Sequence, residues 1–175
     1  KSGTVIGMDP KTGAIIAQAS APTFNPSKPI VGNLNVIRNP AVQDVYEPGS
    51  TGKVITYAAA LEEKQLTANS VYTVPYSMKV AGSPFSDHER HPTQRLTATG
   101  ALAVSSNTAA IKVGQQLGSK TLYQYLTDFG FGKSTGSHLP GESAGLLRPV
   151  SDWSGTSLPT FSYGHGYSVT ALQAT

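Results

Sequence analysis

Residues 3–20 read GTVIGMDPKTGAIIAQAS, two runs rich in β-branched residues around Asp9-Pro10-Lys11-Thr12-Gly13. Pro10 presets φ at a turn position and Gly13 tolerates positive φ, so the segment is a β-hairpin with a five-residue loop. An isolated two-stranded hairpin is marginal in water. The apolar face of Val5–Met8 and Ile15–Ala19 therefore demands further strands. Either the extended pieces within residues 66–92 join that sheet, or strands lie beyond Thr175; we favour the second.

The rest of the chain reads mainly as helix and loop. Residues 21–40, with Pro22, Pro26, Pro29 and Pro40, are loop. Pro48-Gly49 makes a sharp entry, Ser50 suits a helix N-terminus, and Val54, Tyr57, Ala58 and Leu61 recur at helical spacing, which predicts a helix over 50–63. Residues 66–92 are turn-rich, with extended pieces at 70–74 and 77–80. Helices are predicted at 95–103 and 107–117, interrupted at Ser105-Ser106, and at 119–129 with Leu122, Tyr125, Leu126 and Phe129 inward. Residues 130–166 are again rich in Gly, Pro and Ser, and Ser168 is placed to cap a last helix opening over 168–173.

Composition narrows the class. Charged residues are 13% of the chain, about half the usual share, which excludes a coiled coil or charged linker, while a 38% hydrophobic content excludes disorder. No run of 18 apolar residues occurs. With no cysteine there is neither a disulfide framework nor a thiolate site, which fits an exported protein. The net charge of +3 comes from basic residues scattered singly (Lys11, Lys28, Arg38, Lys53, Lys64, Lys79), so no nucleic-acid footprint is expected. The chain opens at Lys1 without Met or signal peptide, which reads as an excised piece.

Ser50-Thr51-Gly52-Lys53 is an S-x-x-K tetrad on the first turn of the predicted helix. Residues i and i+3 share a helix face, so the lysine amine can reach the serine hydroxyl. A serine needs an adjacent base to become a nucleophile, and a neutral lysine can serve. Its pKa would have to move from about 10.4 towards 7, a cost of about 4 kcal/mol, through burial or nearby cations. A helix N-terminus also stabilises a developing anion. Alone, the tetrad is weak: 19 Ser and 9 Lys in 175 residues make about one match expected by chance, and Ser105-Ser106-Asn107 is an equally cheap S-x-N match.

Context supplies the specificity. YEPGSTGKVIT (46–56), the opening hairpin, RNPAVQDVYEPGS, SSNTAAIKVGQQLG, DFGFGKSTG, LPGE and SYGHGYSVTALQ together resemble class B penicillin-binding proteins, the peptidoglycan D,D-transpeptidases, with the cell-division type the nearer fit. The resemblance implies an α/β (α+β) fold of the serine β-lactamase/transpeptidase kind, a core sheet with a helical subdomain. Residues 1–60 and 167–175 would be sheet-bearing and 61–166 mainly helical. It implies Ser50 as the acylated nucleophile, Lys53 as general base, Ser105 as proton relay to the leaving amine, and Asn107 as holder of the substrate amide. Ser50 and Asn107 would bind substrate, and the Ser50 N–H would supply half of an oxyanion hole. Peptidoglycan stem peptides, β-lactam antibiotics and membrane proteins of the division machinery are the partners implied, with no metal or organic cofactor. The place implied is the extracytoplasmic face of the bacterial membrane, anchored by a segment outside this chain.

The family's third motif, K-[ST]-G, is where the pattern departs. Lys11-Thr12-Gly13 precedes the nucleophile and is a turn, while Lys133-Ser134-Thr135-Gly136 has one residue too many. The motif would follow the helix opening at Ser168, beyond Thr175, so 1–175 reads as an incomplete transpeptidase domain with its C-terminal strands missing, impaired by truncation. The alternatives come from other classes. A penicilloyl-sensing receptor would lack the division-type landmarks at 21–48 and 139–173. A class D-like β-lactamase needs a deacylation route that no residue declares, and a non-catalytic scaffold fragment is the third alternative.

Blander readings fit the remaining candidates. Ser50 and Ser105/Asn107 are also what helix caps look like. Asp87-His88-Glu89-Arg90-His91 lacks one residue of a zinc-helix motif and precedes Pro92, so it reads as loop. His165 between two glycines reads as a backbone-bonded histidine, and Glu142 as a loop carboxylate facing Arg148 or solvent. Gly132-Lys133-Ser134 lacks the first glycine of a P-loop.

Overall fold

The structure, a computed structural model, describes residues 2–28, 32 and 37–175. Part of the loop expected over 21–40 therefore lies outside the described residues. The chain divides into two compact units, one of residues 1–46, 130–146 and 168–175, the other of 47–129 and 147–167. The parts expected from the sequence, 1–60 and 167–175 sheet-bearing and 61–166 mainly helical, are drawn by element content, a different criterion from compactness. Residues 53–60 go with the helices because they pack on them, and 130–146 go with the hairpin.

In the first unit β1 (Gly3–Met8) and β2 (Ile15–Ala21) pair antiparallel, from Gly3 opposite Ala21 to Met8 opposite Ile15, with an irregularity at Gly7/Met8. Their turn is held by Gly13 N–H on the Asp9 carbonyl at 2.8 Å and Lys11 N–H on Asp9 Oδ1 at 2.8 Å. A single helical turn, α1 (Pro40–Gln43), follows, with Asn39 accepting the Ala41 N–H at 3.2 Å while Gln43 Oε1 accepts the Asn39 N–H at 3.0 Å. Ala41 and Val42 are buried with Leu172, and Ile6, Met8 and Leu139 pack against them. β3 (Val45–Tyr46) pairs with a late strand, Val169–Thr170.

That late strand corrects the last helix expected from Ser168. Ser168 bonds Leu146 through both its N–H and its carbonyl, at 2.9 and 2.8 Å, and so caps nothing. Val169 and Thr170 are fully buried, where β-branched residues pack well in extended backbone. The chain then closes in a turn, with Gln173 Oε1 accepting the Thr170 N–H at 2.8 Å.

In the second unit a 3₁₀ turn, Gly49–Gly52, runs into α2 (Lys53–Glu62). Next come β4 (Val71–Val74), β5 (Ser77–Val80), β6 (Ser83–Ser86) and β7 (Gln94–Thr97), paired as β4 with β7 and β5 with β6. Among the described residues neither pair joins the hairpin, so the reading in which pieces of 66–92 extend its sheet is overturned. Helices α3 (Ala98–Ala103), α4 (Asn107–Leu117) and α5 (Ser119–Asp128) follow. The helix expected over 95–103 begins only at 98, because 94–97 pair with β4 and Thr97 Oγ1 caps the helix by accepting the Gly100 N–H at 3.0 Å. α5 buries Leu122 and Leu126 as expected, but Phe129, past its end, is 52% exposed.

Within 130–166, the stretch rich in Gly, Pro and Ser, lies α6 (Ser157–Ser162). α4 is the hub of this unit and packs on α2, α5 and α6. Its residues Ala109, Ala110, Ile111 and Val113 are fully buried. Gly114 lets α6 approach, since a Cβ there would overlap Ser162 Oγ.

Candidate active site

Pro48 and Gly49 turn the chain into the 3₁₀ turn that carries Ser50, and α2 starts one turn later at Lys53. Gly49 has φ +59 and donates its N–H to the Gly164 carbonyl at 2.8 Å. Gly164 has φ +88, and a Cβ there would collide with the Gly49 carbonyl, so only glycine fits. Glu47 reinforces this contact: Oε1 accepts the Gly166 N–H and Oε2 pairs with His165 Nδ1, both at 2.8 Å. His165 thus pairs with a carboxylate and not with backbone, as its glycine flanks had suggested.

Lys53 is 1% exposed. Its Nζ bonds Ser50 Oγ at 3.1 Å, the Ser105 carbonyl at 2.5 Å and Ser105 Oγ at 3.0 Å, while the two serine hydroxyls lie 2.9 Å apart. Burial lowers the Lys53 pKa to about 8, with the negative charge of Asp87 opposing that fall. An ammonium would use all three protons on these partners. The neutral amine donates two to Ser105 and turns its lone pair to the Ser50 hydroxyl, which is the geometry of a general base.

Ser105 sits at φ +55, uncommon for a residue with a side chain. Ser106 is the N-cap of α4, its hydroxyl accepting the Ala109 N–H at 3.0 Å. Asn107 opens α4 and donates its amide to the Ser86 carbonyl at 2.9 Å. Ser50, Ser105 and Asn107 all line a cavity of about 720 Å³, together with His165 and residues 87–91. The four residues singled out from the sequence are thus brought together, three in direct contact and Asn107 on the same cavity.

The profile of the family described as "Penicillin binding protein transpeptidase domain" matches residues 3–175. The chain belongs to the penicillin-binding protein transpeptidase family. Its relatives include penicillin-binding protein PbpB of Mycolicibacterium smegmatis, 37% identical over 99% of this chain and 27% of that protein. Peptidoglycan D,D-transpeptidase FtsI of Escherichia coli is 36% identical over 99% of this chain and 29% of its own length. Penicillin-binding protein 3 of Mycobacterium tuberculosis, in complex with aztreonam, superposes with a TM-score of 0.90 at 35% identity, over 99% of this chain and 39% of that one. The chain therefore spans between a quarter and a third of the length of these curated relatives. The α/β transpeptidase fold and the class B, cell-division type read from the sequence both stand.

Within this penicillin-binding domain two features escaped the sequence. Asp87, part of a segment that resembles a metal motif, instead accepts Ser106 Oγ at 2.8 Å, the Thr108 N–H at 2.9 Å and His91 Nε2 at 3.0 Å. The only signal available was that the first turn of α4 needs acceptors. Among the described residues no group of three or more His, Asp or Glu is placed to hold a metal ion. Glu142 does not face Arg148 but its own loop, accepting Ser134 Oγ at 2.6 Å and the Thr135 N–H at 2.8 Å, and the hydroxyls of Ser134 and Thr135 hold its pKa below the usual carboxylate value. The second feature is the Glu47–His165 pair, which joins positions 118 residues apart.

Proposed function

We propose that this domain is the acyl-transfer centre of a peptidoglycan D,D-transpeptidase acting in septal cell-wall synthesis. The observation that carries the reading is the Ser50–Lys53–Ser105 contact, three reactive groups within 3.1 Å of one another at the wall of one cavity. The names and activities of the relatives support the substrate class. Ser50 Oγ attacks the penultimate D-Ala carbonyl of a stem peptide as neutral Lys53 takes its proton. The Ser50 N–H faces the developing oxyanion. Ser105 then passes a proton to the leaving D-Ala amine, and Asn107 holds the peptide backbone. An amine of a neighbouring strand attacks the Ser50 ester, which forms the cross-link and returns the proton to Ser50.

β-Lactams mimic the D-Ala-D-Ala end and acylate Ser50 by the same first step. The same reading places the domain outside the cytoplasmic membrane, in the company of division-machinery membrane proteins. No helix among the described residues is long and apolar enough to cross a membrane. The test is intact mass after incubating the full-length protein with a fluorescent penicillin. A single adduct lost in Ser50→Ala is expected; no adduct, or one that survives the substitution, overturns the reading.

A further inference from the structure

The turn that carries Ser105 and Asn107 is held from below by two consecutive residues at the end of β6. The Ser86 carbonyl takes the Asn107 amide at 2.9 Å. The Asp87 carboxylate, in a residue only 9% exposed, takes the Ser106 hydroxyl at 2.8 Å and the Thr108 N–H at 2.9 Å. Asp87 is itself fixed by its N–H on the Tyr76 carbonyl at 2.9 Å and by His91 Nε2 at 3.0 Å. Residues 106–108 thus each bond to Ser86 or Asp87. Ser105, immediately before them, is left in the left-handed region, from which it turns both its carbonyl and its hydroxyl onto Lys53 Nζ. A residue in that region persists only where its surroundings over-determine it.

We propose that Asp87 is a positioning residue of the acylation step: it clamps the Ser106–Thr108 turn so that Ser105 meets Lys53. The role rests on the transpeptidase reading above, and needs no contact between Asp87 and substrate. The charge has a defined consequence. Burial drives Lys53 towards the neutral amine, and the Asp87 carboxylate holds the proton on, so the two set the pH at which the base becomes available. The other titratable groups that face this carboxylate are Tyr57 on α2 and His91 in the loop after β6, while His88, Glu89 and Arg90 line the same cavity.

The experiment is the pH dependence of the fluorescent-penicillin acylation rate of the full-length protein, for wild type, Asp87→Asn and Asp87→Ala. The asparagine keeps an acceptor for the Thr108 N–H and removes the charge. Its acid limb is expected to move to lower pH, so that the rate near pH 6.5, relative to its own plateau, rises about threefold or more. The alanine removes the clamp, and its plateau is expected to fall about 100-fold. A purely structural role would lower the melting temperature and leave the limb of Asp87→Asn where it is, which overturns the charge role. A plateau unchanged in a folded Asp87→Ala overturns the clamp. Should Asp87→Ala fail to fold, Asp87→Glu, which keeps the charge but displaces the two acceptor oxygens, takes its place: a plateau unchanged from wild type overturns the clamp. Wild type without a Ser50 adduct overturns the transpeptidase reading itself, whereas a wild-type adduct with an unmoved Asp87→Asn limb overturns only the charge role of Asp87.

Discussion

Lys53 carries an amine in a site that disfavours its charged form, and it holds its proton only to about 8. Unfolded, a lysine titrates near 10.4. Between those values the unfolded chain binds more protons than the folded one, so stability rises with pH across the window. At pH 7 both states carry the charged amine and the full penalty of burial is present, about 3 kcal/mol. Lys53→Met removes that penalty while leaving the Ser105 carbonyl without a donor. The expected outcome is a variant about 1–2 kcal/mol more stable than wild type at pH 7, with the advantage gone by about pH 10.5. Thermal melts at the two pH values check this; a variant less stable at pH 7 would show that the amine is not held against its preference. The same substitution should lower Ser50 labelling by about 1,000-fold, since it removes the general base. In wild type the labelling rate should rise about tenfold per pH unit below 8 and level above it. A rate flat from pH 6 to 9 would exclude Lys53 as the titrating base.

Two loops hold Ser50 where α2 begins, and their fit turns on one contact. Gly164 and Gly49 approach backbone to backbone, and the Glu47 carboxylate ties down the two residues that follow Gly164. Both members of the Glu47–His165 pair are about half exposed, so the pair itself adds little stability. The glycine contact is different. Gly164→Ala would force a Cβ into the Gly49 carbonyl at a positive φ, and a destabilisation of about 2–4 kcal/mol is expected, with Ser50 labelling slowed at least tenfold. Melting temperature and labelling rate measured together check it, and an alanine variant with both unchanged would mean the loops are not held by this contact. The elements with local causes were legible: the hairpin in its turn residues, and α2, α4 and α5 in their apolar spacing. The Ser50/Lys53 pair was legible too, because three residues on a helical turn fix its geometry. What was not legible depends on distant partners. Gln94–Thr97 is a strand because β4 lies beside it, and Val169–Thr170 because β3 does. Asp87 and Glu47 are ordinary carboxylates in sequence, and gain their meaning only from N–H groups brought to them by folding.

The two compact units differ in how much apolar surface each removes from water. The unit of residues 47–129 and 147–167 buries α4 on nearly all sides, with Ala109, Ala110, Ile111 and Val113 at 0% exposure and Leu122 and Leu126 at 0% and 1%. The hairpin unit has a small buried cluster of Ala41, Val42 and Leu172, and its strands leave Val5 and Ile16 each 73% exposed and Ile15 40% exposed. β1 and β2 pair only with each other among the described residues, and a two-stranded ribbon with an exposed apolar face draws little stability from burial. Local opening follows such differences, since segments with few buried contacts exchange their amides long before the global transition. The 175-residue chain, studied alone, is therefore expected to melt in two stages, with the hairpin unit lost first. Hydrogen exchange is the direct measurement: the amides of 3–8 and 15–21 should exchange about 100-fold or more faster than those of 109–117, a gap of about 3 kcal/mol in opening free energy. Thermal unfolding followed by tyrosine absorbance should show the same order, because no tyrosine lies in either strand of the hairpin and Tyr57, Tyr72 and Tyr167 all sit in the unit around α4. Exchange at one common rate, with coincident melts by backbone and tyrosine signals, would mean that the hairpin is stabilised as strongly as the helices despite its exposed face.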